Sequence, residues 1–191
     1  MTGSSGRVRL CPKRLGDAVR DYAWQTDPEL TRLDASSPLT VGFNRYLLEY
    51  TVELGCSRQY KYQFAVDTLD GEHIGNCAYC SSDDNNEAEI GVMIGNRSYW
   101  DRGYGADAVT ALVNHIFNNT AIERIFLKTL DFNRRAQRCF ARCGFTLCGE
   151  LVKDGRNFVL MELYRCRWLQ SENRKRGGET GNDKKEHCKH R

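Results

Sequence analysis

Long hydrophobic runs are missing from this chain of 191 residues. The longest apolar stretches last a few residues, far short of the roughly 20 needed to cross a bilayer. No basic segment followed by an apolar one and a small-residue site opens the chain, so no secretory signal is expected and the expected location is cytoplasmic. The nine cysteines are an odd number, which argues against a closed disulfide framework and for reduced thiols. Cys77-x-x-Cys80 is the single CxxC pair. His73 lies nearby, but no second pair follows at zinc spacing, and no metal is expected.

An excess of one charge is also missing from most of the chain. The net charge is +3, and residues 171–191, with seven Lys/Arg against four Asp/Glu, carry all of it. A balanced body argues against a nucleic-acid partner. The tail is nearly devoid of apolar residues and is expected to be disordered. What remains, 40% hydrophobic and 28% charged overall, suits one globular domain over residues 7–170, between a flexible leader (1–6) and the tail.

Val8 to Pro12 reads as a strand. Leu15, Ala18, Val19, Tyr22 and Ala23 then recur at helical spacing, followed by a loop containing Asp27-Pro28 and Ser37-Pro38. Phe43, Tyr46, Leu47, Tyr50 and Leu54 mark a second amphipathic helix that ends near Gly55. From Tyr60 the period changes to two. Tyr60–Thr68 and Glu72–Ser81 are expected as antiparallel strands around Asp70-Gly71. After the turn Asp83–Asn86, Glu87–Gly95 alternates, with Ala88, Ile90, Val92 and Ile94 on one face. A helix enters at Gly103-Tyr104-Gly105 with Val109, Leu112, Val113, Ile116 and Phe117 as its apolar stripe. Arg124–Leu130 is a strand, Arg134–Cys143 a short helix stopped by Gly144, and Phe145–Val152 pairs with Asn157–Arg167 about Asp154-Gly155. This order predicts an α+β fold with a mixed, mostly antiparallel central sheet flanked by helices, parallel only around the 104–118 helix.

The segment Trp100-Asp-Arg-Gly-Tyr-Gly-Ala106 lies between a strand and an amphipathic helix. Two glycines with one spacer let backbone N–H groups converge, and the helix start adds unpaired N–H groups and a positive dipole end. Such a turn binds phosphate. Gly103-x-Gly105-x-x-Ala108 also fits a dinucleotide fingerprint, but that pattern follows directly on a strand within repeated βαβ units. Here seven residues separate Gly95 from Gly103, and hairpin-linked strands come first.

Glu87–Phe145 resembles the core of the GNAT acetyltransferases, in particular their RimJ/RimL-like branch. Trp100-x-x-Gly103-x-Gly105 resembles the family's pyrophosphate loop, Ala88-Glu89-Ile90-Gly91 its preceding strand, and Asn133-x-x-Ala136…Gly144-Phe145 its later signature. The resemblance implies acetyl-CoA as cosubstrate and an amine as acceptor, either a peptide N-terminus or a small molecule. It also implies pantetheine on backbone groups of Val92, Met93 and Ile94, and pyrophosphate on the amides of Arg102, Gly103, Tyr104, Gly105 and Ala106. Asn133 would reach the pantetheine or adenosine side and Phe140 the thioester end. A homodimer is left open.

Amine acetylation needs a neutral amine against an activated carbonyl. At pH 7, removing the proton costs about 1 kcal/mol for an α-amino group and about 4–5 kcal/mol for a lysine-type amine. Glu89, on the polar face of the central strand, is the expected catalytic base, with Glu87 in reserve. Asp83, Asp84, Glu87 and Glu89 would form an acidic cluster facing the acceptor. The chain departs from its relatives at Ala136 and Phe140, where Ser or Tyr often supplies a proton to the leaving thiolate. This leaves the general acid unassigned and sets up an alternative, a catalytically silent CoA-binding module.

Overall fold

The computed structural model describes residues 4–56, 60–81 and 86–177. Eight strands form one sheet: β1 (Ser4–Ser5), β2 (Val8–Pro12), β3 (Lys61–Thr68), β4 (His73–Ser81), β5 (Glu87–Ile94), β6 (Arg124–Leu130), β7 (Thr146–Lys153) and β8 (Arg156–Tyr164). Their order across the sheet is β1-β2-β3-β4-β5-β6-β8-β7, and every neighbouring pair is antiparallel except β5–β6. The helices are α1 (Ala18–Thr26), α2 (Pro28–Leu33), α3 (Phe43–Gly55), α4 (Tyr104–Asn119), α5 (Arg134–Arg142) and α6 (Arg165–Gly177). The α+β architecture matches the expectation from hydrophobic periodicity.

The main core lies between the apolar stripe of α4 and one sheet face. Val109, Leu112, Val113, Ile116 and Phe117 are buried there against Leu10, Val66, Ile74, Ala88, Ile90, Ile125 and Leu127. A smaller aromatic cluster, in which Tyr22, Phe43, Tyr46 and Tyr50 surround Ala18, joins α1 to α3.

Three expectations need correction. The loop after α1 contains α2, because Asp27 accepts the N–H groups of Glu29 and Leu30 as N-cap and Pro28 opens the helix without needing a donor. The segment expected as a disordered tail from residue 171 is helical as far as Gly177. Upstream in α6, Trp168 packs on Phe117 at 5.2 Å and donates to Asn114, while Arg165 donates to the carbonyls of Phe117, Thr120 and Ile122 at the end of α4. At the other end, Ser4 and Ser5 of the expected leader pair with Arg9 and Val8 in β1. The Asp83-Asp84 turn lies outside the described residues.

The buried face of α1 also differs from the expected stripe. Val19 is exposed, and Asp21 is buried instead. Asp21 accepts hydrogen bonds from Lys13, from Asn76 (2.8 Å) and from the Tyr50 hydroxyl (3.0 Å), and His73 Nε2 lies 3.0 Å away. His73 Nδ1 faces buried Asp67 at 3.3 Å, and Arg14 reaches Asp67 at 2.8 Å. Burial opposes the charge on Asp21, but the bonds from His73, Lys13 and Asn76 outweigh it and hold the carboxyl down to about 2.

Removing one member of a buried ionic network leaves its partners uncompensated, which typically costs 3–5 kcal/mol. Asp21→Ala should therefore lower the unfolding free energy by about that amount in urea titrations. Because the folded-state pKa is depressed, this stabilisation is complete above about pH 4 and is lost as pH falls toward 2. The difference between wild type and variant should shrink over that interval.

Candidate active site

The sheet opens at its only parallel pair among the described strands. Glu87, Ala88 and Glu89 pair with Arg124, Ile125 and Phe126, and there the pairing stops. Beyond it, β5 stays on β4 as far as Ile94 and β6 stays on β8 as far as Leu130, so the two halves of the sheet splay apart. The Gly95 N–H bonds to Ile74 O, and antiparallel alternation then aims the Met93 and Gly91 backbone groups at β4. The backbone groups of Val92 and Ile94 face the open wedge. Trp100 takes one of them, donating from its indole N–H to the Ile94 carbonyl at 2.6 Å.

A cleft of about 410 Å³ occupies this wedge. Val92, Met93 and Ile94 form one wall, Gly103, Gly105 and Ala106 the head, and Asn133, Ala136, Cys139 and Phe140 of the α5 segment the other wall. Gly103 is the N-cap of α4 with φ +86°, a conformation that favours glycine. The N–H groups of Tyr104, Gly105 and Ala106 have no acceptor within the helix. Outside the loop, Arg7 donates to the Arg102 carbonyl and pairs with Asp107 at 2.8 Å, neutralising an acid on the first turn of α4. A Cβ on Gly103 would collide with the Arg7 guanidinium.

The expected site residues thus divide. Val92, Met93, Ile94, Gly103, Gly105, Ala106, Asn133 and Phe140 all line the cleft, whereas Arg102 and Tyr104 do not. The Arg102 side chain donates back to the Ser98 carbonyl, and Tyr104 stacks edge-on against Tyr99 at 4.7 Å. Asn133 caps α5 by accepting from the Ala136 N–H and also donates to the Leu33 carbonyl at 3.4 Å. Glu89 lines neither this cleft nor the second one described below, and pairs with Lys128 at 2.8 Å. Glu87 pairs with Arg124, which bridges on to Glu162. These carboxylates therefore staple the short parallel junction.

Three residues that the sequence reading passed over line the cleft mouth: Arg135, Arg138 and Arg142. Their spacing of three and four places them on one face of α5, a signal that was present in the sequence. Arg135 stacks over the Trp100 ring at 3.5 Å. Cationic side chains and unpaired amides together make this cleft suited to a phosphate-bearing ligand.

A second cleft, of about 560 Å³, lies against the face of β4 and β5 that carries Asn76, Ala78, Gly91 and Met93. Tyr46, Tyr50 and Phe64 give it aromatic walls, and Asp34, Glu49 and Glu53 give it carboxylates. Asp34, Val92 and Met93 belong to both clefts. The carboxyl of Asp34 is pushed up to about 6 by the protein that crowds it. The residue is nonetheless exposed to solvent, which limits the rise.

The profile of the acetyltransferase (GNAT) domain matches residues 7–146. An uncharacterized N-acetyltransferase p20 of Bacillus licheniformis is 30% identical over 125 residues, spanning 64% of this chain and 69% of that protein. Among solved structures, spermidine N-acetyltransferase from Vibrio cholerae, in complex with CoA and spermine, superposes with a TM-score of 0.76 at 16% identity, covering 85% of this chain and 98% of that one. The aminoglycoside acetyltransferase AAC(6')-Ib with coenzyme A gives 0.73 at 22% identity, covering 86% and 99%. The chain belongs to the GNAT acetyltransferase family, and it is an N-acetyltransferase.

Gly105 lines the cleft, and a Cβ there meets only ordinary contacts from Cys139 and Ile94. It therefore tests charge without the backbone strain that Gly103 would add. Gly105→Glu should weaken CoA binding at least tenfold in isothermal titration, with the thermal midpoint of unfolding nearly unchanged.

Proposed function

We propose that the protein transfers the acetyl group of acetyl-CoA to a primary amine by direct attack on the thioester. The observation that carries this reading is the meeting of the two clefts at Val92 and Met93, one built for phosphates and the other for cations. In the donor cleft, the Val92 N–H and C=O and the Ile94 N–H bond the pantetheine arm, extending β5 where β6 has left it. Met93 contributes its side chain at the seam. The amides of Gly103, Tyr104, Gly105 and Ala106 hold the pyrophosphate, and Arg102 adds charge at the loop. Arg135, Arg138 and Arg142 complete the neutralisation. Asn133 fixes the start of α5, and Phe140 packs at the thioester end.

The acceptor occupies the second cleft. Aromatic faces beside Asp34, with Glu49 and Glu53 on pairs to Arg45 and Lys61, favour a small molecule carrying ammonium groups over an isolated peptide N-terminus. The CoA-bound spermidine and aminoglycoside acetyltransferases, whose fold this chain shares, act on amines of this kind. Trp100 in the loop supports the RimJ/RimL-like branch. The free thiols among the described residues suit the cytoplasm. The catalytic domain takes in β1 at one end and α6 at the other, residues 4–177.

Thiol release from acetyl-CoA, followed over a panel of spermine, kanamycin, lysine and a short peptide with a free N-terminus, tests the reading. Saturable turnover is expected with at least one polyamine or aminoglycoside. Tight CoA binding with no turnover of any amine would instead support a silent CoA-binding module.

A further inference from the structure

Transfer between a molecule in each cleft has to take place where the clefts open into one another. Among the described residues the shared lining is Asp34, Val92 and Met93, and only Asp34 carries a group able to take up a proton. Its position is built from both sides. Asp34 closes α2 with its N–H on the Leu30 carbonyl at 2.9 Å. The preceding carbonyl, Leu33, is held by the Asn133 amide at 3.4 Å, and the following one, Ala35, by the Arg156 guanidinium. Ala35 itself is in the left-handed region, φ +55°, so the chain turns sharply just after Asp34. Two clamps from the far half of the sheet thus fix the segment over the splayed edge of β5.

The carboxylates of Asp21, Asp67, Glu87, Glu89 and Asp107 are each committed to a cation or a hydrogen-bond network. That of Asp34 has no hydrogen-bond or ion-pair partner among the described residues. An uncommitted carboxylate at the seam is the arrangement a proton acceptor requires.

We propose that Asp34 is the proton acceptor of the transfer reaction, taking a proton from the ammonium group of the acceptor as the neutral amine forms beside the thioester. The inference rests on the acetyltransferase reading above. Asp34 takes one proton from the ammonium, and the freed nitrogen lone pair attacks the thioester carbonyl. The C–N bond forms as the C–S bond breaks, and the electron pair leaves on sulfur. The second nitrogen proton passes to the departing thiolate, and Asp34 returns its proton to water. The sum is ammonium plus acetyl-CoA giving acetamide, CoA thiol and one proton.

Crowding by the surrounding protein raises the Asp34 carboxyl and makes it more basic than an ordinary aspartate, while its exposure to solvent keeps it ionised at neutral pH. The charged groups facing it from the acceptor side are Glu49, Glu53 and the Lys13–Asp21 pair. From the donor side they are Asp101, Arg135, Arg138 and Arg142. An ammonium bound beside the acidic group of the acceptor cleft would sit within reach of the seam.

The test compares wild type with Asp34→Asn, which keeps the shape but cannot take the proton, using the best amine of the panel above. The inference expects kcat/KM to fall by roughly 10²–10⁴-fold, chiefly in kcat, with acetyl-CoA affinity unchanged in isothermal titration. The acidic limb of the wild-type pH profile should vanish in the variant. Activity within threefold of wild type at pH 7, or a rise in KM alone at unchanged kcat, would overturn it, the latter by reducing Asp34 to an amine anchor. Glu89→Gln, run in parallel, decides between the two carboxylates. A hundredfold loss there with Asp34→Asn near wild type would return the role to Glu89. Failure of the acetyltransferase reading would show in the wild type itself, as no turnover across the panel.

Discussion

Three residues of parallel pairing join the two halves of the sheet, and the site exists because the pairing goes no further. Each half is complete on its outer side, β5 on β4 and β6 on β8. The ion pairs Glu87–Arg124–Glu162 and Glu89–Lys128 knit the junction across three strands. Past Glu89, the Val92 and Ile94 backbone groups have no neighbouring strand. Buried polar groups left without partners are costly. Water or an extended ligand has to satisfy them, and a linear arm of amides does so by acting as one more strand.

The other features of the site follow from keeping that wedge open and charged. Trp100 closes the end of β5 by taking the Ile94 carbonyl, and its ring carries Arg135 at the mouth. The α4 entrance needs Asp107 paired away from any anion, and the turn leading into β2 supplies Arg7 for that purpose. On the opposite face, Lys13 and Asp21 of the buried Lys13–Asp21–His73–Asp67 network line the second cleft beside Asn76 and Met93. Buried ion pairs therefore lie beside the second cleft, while the first is lined by backbone groups of β5 and the α4 entrance together with the arginines of α5.

Much of this was legible in the sequence. Asp154-Gly155 promised a hairpin, and both residues do adopt positive φ (50° and 69°) between paired Lys153 and Arg156. The glycines at 103 and 105 marked the helix entrance, and the alternation over Glu87–Gly95 marked the central strand. What was not legible came from long-range partners. Periodicity assigned Val19 to the core of α1, but Asp21 goes inside because Lys13, Asn76 and Tyr50, distant in sequence, converge on it. Similarly, Glu89 read as a free carboxylate because nothing local reveals that Lys128 on the next strand claims it. Asp34 sat in what looked like an ordinary loop. Its place at the seam depends on Asn133 and Arg156, about 100 or more residues away, pinning its neighbours.

On the proposed reading, the splayed edge of β5 and the first turn of α4 together hold the donor. Amide hydrogen exchange with and without saturating CoA measures this residue by residue. New protection is expected at Val92 and Ile94 and at Tyr104 to Ala106, with the Met93 amide, already bonded to β4, little changed. Unchanged exchange at Val92 and Ile94 while CoA is bound, or protection concentrated on another surface, would contradict it.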